Sequence, residues 1–234
     1  MTNLLNFDIF SQKVSFSRHD ICREVYRNHR QAIKIKKEKT LAKNLMGIFD
    51  AVLKISNEKG FNAMTMRDLS RESGLSMGGL YAYFGGKDDL LEMLLQTGQT
   101  TTRKILKENL EGVNDPVCRL RAAIRTHIFL SEVMLPWFYF SYMEARHLGT
   151  TQKQKAIKGE LESEKLFAEI IEEGMNRGVF QVENSLLAAS VIKAMVQDWY
   201  VKRWKYLKRR IGVEQYAGFV ITCVERFCRP DDLP

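Results

Sequence analysis

The feature that most constrains this chain is the spacing of its apolar residues, which recur at intervals of three and four over most of its 234 residues. That interval marks amphipathic helices, whereas half-buried strands show strict alternation, which is nearly absent here. Leu45, Ile48, Phe49, Val52 and Ile55 form one stripe. Leu90, Leu91, Leu94 and Leu95 open another behind Asp88 and Asp89, an acidic pair that suits the positive end of a helix dipole. Further helical stretches fall at about 117–132, 134–148, 153–177, 184–207 and 213–228, and the chain has only four prolines. The pattern predicts an all-α fold without internal repeats.

A short three-helix unit is expected at 41–88, behind a basic extension at 1–40 and ahead of a larger, aromatic-rich bundle at 89–234. The hydrophobic fraction of 45% suffices for a core. Four cysteines, at 22, 118, 223 and 228, form neither a Cys-x-x-Cys pair nor a zinc spacing with histidine, so no metal, cofactor or disulfide framework is expected. The first residues lack the pattern of a secretory signal, and no apolar run is long enough to span a bilayer. These features suggest a cytoplasmic protein with no membrane partner. Charge is uneven: residues 1–43 hold ten Lys/Arg against four Asp/Glu, while the remainder holds 26 against 24.

The stretch GLSMGGLYAYFGGKDDL (74–90) carries five glycines between helical neighbours. A phosphate-binding loop would need Gly-x-x-x-x-Gly-Lys-Ser/Thr, but Tyr81 stands where the first glycine belongs and Asp88 follows Lys87. A flexible linker is excluded by Leu80, Tyr81 and Phe84, which are too apolar for solvent. A helix-turn-helix fits. Thr65 can cap MRDLSRES (66–73), with Asp68 reaching back in a capping box, and Gly74 allows the positive-φ turn that ends the helix. Ser70 is small enough for a close crossing, and Ser76 can cap a second helix at 77–84. That helix would bury Leu80 and Phe84 and turn Met77, Gly78, Gly79, Tyr81 and Tyr83 outward, with Gly85 and Gly86 closing it.

The segment TMRDLSRESGLSMGGLYAYFGGKDDLLEML (65–94) resembles the DNA-binding signature of the tetracycline-repressor (TetR) family of bacterial regulators. The turn, the tyrosine pair and the closing lysine sit at that family's spacing. The resemblance implies a homodimer whose paired recognition helices enter successive major grooves of a near-palindromic double-stranded operator. It also implies a C-terminal bundle, here 89–234, that dimerises and releases DNA on binding a small effector. Carried over by position, Ser76, Met77, Gly78, Gly79, Tyr81 and Tyr83 form the recognition face. Thr65 and Arg67 would reach phosphates or a base edge, and Tyr83 and Lys87 would fix register on the backbone. The family often has lysine at Met77 and a donor such as threonine at Gly79, so less direct base readout is expected from this helix.

Residues 44–89 carry five basic side chains against six acidic ones, which is unusual for a surface that meets phosphate. The basic arm RNHRQAIKIKKEKTLAK (27–43) could supply the missing charge by contacting the DNA backbone or a minor groove, or it could pack on its own dimer.

In the C-terminal half, HIFLSEVMLPWFYFSYMEARH (127–147) concentrates aromatics and methionines around Pro136. Phe129, Met134, Trp137, Phe138, Phe140 and Met143, with Met175, Met195 and Trp199, are candidate ligand-lining residues, plain core packing being the other reading. His127 and His147 could orient a polar head group. The stretches SYMEARHL, FAEIIEEGMNRGVF and the basic run at 202–210 resemble the family branch that senses fatty acyl-CoA, which would set some of Lys202, Arg203, Lys205, Lys208, Arg209 and Arg210 against CoA phosphates. The last two helices would form the dimer surface through Leu186, Leu187, Val191, Met195, Phe219, Val220 and Val224. No catalytic residues are expected, because the four histidines sit in no nucleophile or acid–base motif. The two surviving readings are a ligand-responsive regulator and a DNA-binding regulator or scaffold without a ligand.

Overall fold

The apolar stripes fold as helices in the computed structural model, which describes residues 6–14, 38–144 and 150–229. A helix at 7–14 (α1) is followed by α2 (Glu38–Lys59), α3 (Met66–Ser73), α4 (Met77–Leu80) and α5 (Lys87–Leu110). Then come α6 (Pro116–Val133), α7 (Leu135–Glu144), α8 (Thr150–Asn176), α9 (Ser185–Val201), α10 (Arg203–Lys208) and α11 (Val213–Cys228). Among the described residues the only other structure is turns and bends. The fold is all-α.

The contacts divide the chain into two units. One comprises Gln12–Thr101 with Pro136–Gln154, the other Met1–Ser11 with Thr102–Leu135 and Lys155–Pro234. The division falls within α5, and most of α7 belongs to the unit that holds the helix-turn-helix.

In the first unit, the predicted α2 stripe of Leu45, Ile48, Phe49, Val52 and Ile55 is buried throughout. Each such side chain removed from water is worth roughly 1.5–3 kcal/mol. Helix α2 packs on α3, and α3 on α4. In the second unit, α6 packs against α9 and α11, and α9 against α10 and α11.

Two expectations are corrected. The helix expected at 77–84 spans only Met77–Leu80 and continues as a turn in which Tyr83 N donates to Leu80 O at 2.9 Å. Adjacent glycines weaken helix propagation, so the segment tightens after one turn. The helix expected at 184–207 breaks at Lys202 (φ −117°, ψ 36°) into α9 and α10. The break is held by Asp198, which accepts from Lys202, Lys205 and the Tyr206 hydroxyl. Burial opposes ionisation of Asp198, but these three donors outweigh it and hold the carboxyl at about 2. Within the basic extension, α1 buries Phe10, and the rings of Phe7 and Phe10 meet Phe129 edge-on at 5.3 and 5.7 Å. Most of the basic arm lies outside the described residues, as does His147.

Candidate nucleic-acid interface and effector core

The turn of the helix-turn-helix is locked from both sides. Asp68 N donates to Thr65 Oγ1 at 3.1 Å and Thr65 N donates to Asp68 Oδ2 at 3.0 Å, which completes the capping box of α3. Lys59, in the last turn of α2, donates to the same carboxylate oxygen at 2.8 Å, and Arg71 reaches the other oxygen at 2.9 Å. Led by the Lys59 hydrogen bond and then by Thr65, these contacts hold the Asp68 carboxyl well below the usual carboxylate range. At the far end Gly74 takes φ 70°, a conformation in which a side chain would be strained. The Ser70 hydroxyl then donates to Leu75 O at 2.6 Å, and Ser76 Oγ caps α4 by accepting from Gly79 N at 3.1 Å.

This frame presents Thr65, Arg67, Ser76, Gly78 and Tyr81 to solvent, with Met77 and Gly79 half-exposed. A Cβ on Gly78 would meet nothing within 4 Å. Tyr83 is corrected: it is 0% exposed and points inward, because the chain leaves helical geometry after Leu80. Burial raises its phenol pKa, an effect the Asn44 side chain opposes. Lys87 is also engaged within the protein. Its Nζ donates to Asn62 O at 2.8 Å and lies 4.8 Å from the Phe61 ring centroid, tying the start of α5 to the loop before α3. Burial lowers its pKa, with Asp88 and Glu144 opposing.

Helix α7 completes this unit. Trp137 meets Phe49 edge-on at 5.4 Å and donates Nε1–H to Leu94 O at 3.2 Å. Phe140 meets Phe61 edge-on at 5.8 Å, and Glu144 Oε1, 7% exposed as a residue, accepts from Phe61 N at 3.1 Å. Trp137 and Phe140 are therefore core residues of the recognition unit, and Phe138 and Met143 on the same helix are half-exposed.

In the C-terminal unit, Phe129 is covered by α1, Met134 is buried at the end of α6, and Met175 and Met195 are half-exposed. Trp199 is fully buried. It stacks on Tyr206 (5.1 Å) and Tyr216 (5.0 Å), and its Nε1–H donates to Glu132 at 3.0 Å. The same Glu132 grips Arg203 with both oxygens at 2.9 Å. Of the basic run, Arg203 is thus committed to Glu132 and Lys202 and Lys205 to Asp198, whereas Lys208, Arg209 and Arg210 are exposed. On α9 and α11, Leu186, Leu187, Val191 and Phe219 stay 42–68% exposed. Val220 and Val224, expected at a dimer surface, are buried in the unit's own core.

Residues 48–94 match the model of the bacterial regulatory proteins, tetR family, and residues 113–205 match that of the tetracyclin repressor-like C-terminal domain. The chain belongs to the TetR family. It is 24% identical over 180 residues to the HTH-type transcriptional regulator HbdR of Aromatoleum sp. (strain CIB), covering 77% of this chain and 79% of that one. Among solved structures it is similar to a tetR-family regulatory protein of Rhodococcus RHA1, with TM-score 0.72, 19% identity, and coverage of 80% and 97%. It is also similar to the regulator FadR of Bacillus subtilis, solved with stearoyl-CoA, with TM-score 0.64, 17% identity, and coverage of 79% and 99%.

Beside His127, a residue that the sequence offers as a head-group partner, this TetR protein places one that the sequence does not single out, Lys193. Lys193 on α9 and His127 on α6 are 5% and 1% exposed and face each other at 3.1 Å. Sixty-six positions separate them, and neither sits in a motif. The one available signal was a lysine at the centre of the otherwise apolar run of α9.

Proposed function

We propose that this TetR-family protein is a cytoplasmic homodimeric repressor that grips a near-palindromic operator and lets it go when its C-terminal bundle takes up a CoA thioester. The observation that carries the reading is the doubly locked helix-turn-helix with an exposed rim of Thr65, Arg67, Ser76, Met77, Gly78, Gly79 and Tyr81. On this rim Arg67 and Tyr81 would meet phosphates, Met77 would touch a thymine methyl, and the bare Gly78 and Gly79 would let backbone approach the groove. Lys87 would act at the DNA indirectly, by fixing the loop at Asn62. Dimerisation through α9 and α11 is supported by Leu186, Leu187, Val191 and Phe219, large apolar side chains that a single protomer leaves 42–68% exposed.

The effector class is supported by the acyl-CoA described with a relative of the same fold and by the exposed Lys208, Arg209 and Arg210, which suit the phosphates of CoA. A second reading, a regulator without an effector, is favoured by the filling of two candidate lining sites: Phe129 under Phe7 and Phe10, and Trp199 between Tyr206 and Tyr216.

Selecting bound fragments from genomic DNA and footprinting them tests the first reading. Two half-sites about one helical turn apart, or a multiple of that, are expected for a dimer of this type. Protection of a single half-site, or no sequence preference, would sink it.

A further inference from the structure

The C-terminal unit buries a charge between α6, α8 and α9. Lys193 Nζ lies 3.1 Å from His127 Nε2 and 3.5 Å from Glu160 Oε2, and Glu160 also accepts from Gln197. Much of the interior built by these helices is apolar, with Ile128, Phe167, Ile171, Ile192 and Val196 all 0% exposed, and α6 adds only the short hydroxyl side chains of Thr126 and Ser131 to its buried polar groups. Burial drives the His127 pKa well below 6.5, with Lys193 adding to the effect, so the imidazole is neutral and its Nε2 accepts from the ammonium. Burial also lowers Lys193, against the opposing pull of Glu160 and Glu164.

Stability does not account for the cluster: Glu160 is 46% exposed and 3.5 Å from Lys193, so the pair offsets little of the cost of burying the ammonium. Perturbed titratable groups gathered in an interior are instead a mark of functional sites.

The donors and the charge together select a ligand. An ammonium has three N–H groups. One is directed to His127 and one, at longer range, to Glu160; the third has no acceptor among the described residues. The positive charge is already matched by Glu160. A carboxylate brought here would add a second negative charge in a low-dielectric interior, whereas a neutral oxygen would not. We propose that Lys193 is an effector-specificity residue, donating to the carbonyl oxygen of an acyl thioester while His127 and Glu160 hold the ammonium in place. This rests on the CoA-thioester reading above and adds to it a selection for thioesters over free acids.

Titration calorimetry on the full chain tests it with stearoyl-CoA and butyryl-CoA, their S-octadecyl and S-butyl thioether analogues, which lack the carbonyl, and stearate. Wild type is expected to bind the thioester about tenfold or more tighter than the matching thioether, the scale of a hydrogen bond from a charged donor. In Lys193→Met the ratio should fall to about one, and in Lys193→Gln, which keeps a donor, to an intermediate value; thermal melts verify folding. A wild-type ratio near one, a ratio unchanged in Lys193→Met, or a preference for stearate would overturn the inference. Thioester binding without carbonyl preference removes this inference alone. If neither thioester binds, the effector reading itself fails.

Discussion

The Thr65 hydroxyl and the Asp68 carboxylate each accept the other residue's backbone N–H, at 3.1 and 3.0 Å. This pair positions α3, and through Lys59 it also fastens the end of α2. Thr65→Ala leaves a first-turn amide without its acceptor and should cost about 1 kcal/mol. A lower urea midpoint at unchanged slope would show it.

Asp68 gives the same motif a pH signature. Its folded pKa is depressed, so its contribution is complete above the unfolded value of about 3.9 and is lost as pH falls through the lower folded value. The urea midpoint of wild type should therefore drop between pH 5 and pH 3 more steeply than that of Asp68→Asn. Parallel curves for the two proteins would contradict this.

Gly98 marks where α7 lies across α5. A Cβ there would fall 2.6 Å from Trp137 Nε1 and 2.9 Å from its Cδ1. Gly98→Ala must push the indole off Leu94 O, and overpacking of this kind costs about 1–3 kcal/mol. A lower melting temperature with a shift in tryptophan emission is expected.

Much of the recognition unit was legible because its signals are local. The capping box, the left-handed Gly74 and the Ser76 cap each depend on residues within three or four positions. The extent of α4 was not legible, because apolar spacing at Leu80 and Phe84 is shared by a helix and by the tight turn that replaces it. The same ambiguity covers Tyr83, which helical spacing turns outward and the tight turn buries. Trp137 looked like pocket lining because composition does not say which partner an aromatic helix covers; Phe49 and Leu94 supply that answer from far along the chain. Lys193 and His127 meet only through the packing of α6 on α9.

Charge at the interface is the next test. Residues 44–89 are net acidic, so a single added cation on the exposed rim should register. Met77→Lys is expected to tighten operator binding and to steepen its log-affinity against log-salt slope by about 0.9. Neutralising Lys34, Lys36 and Lys37 to glutamine should do the reverse if the basic arm meets phosphate. Substitution is preferable to deleting the arm from the N-terminus, because α1 packs on Phe129. An unchanged slope in both variants would place the DNA elsewhere.

The most direct measurement is fluorescence anisotropy of a selected operator fragment titrated with the protein, with and without saturating stearoyl-CoA, alongside sedimentation of the complex. Two protomers per operator are expected, with an affinity at least about tenfold weaker in the presence of the thioester, a coupling of roughly 1.4 kcal/mol. One protomer per operator, or an affinity that no acyl-CoA alters, would contradict it.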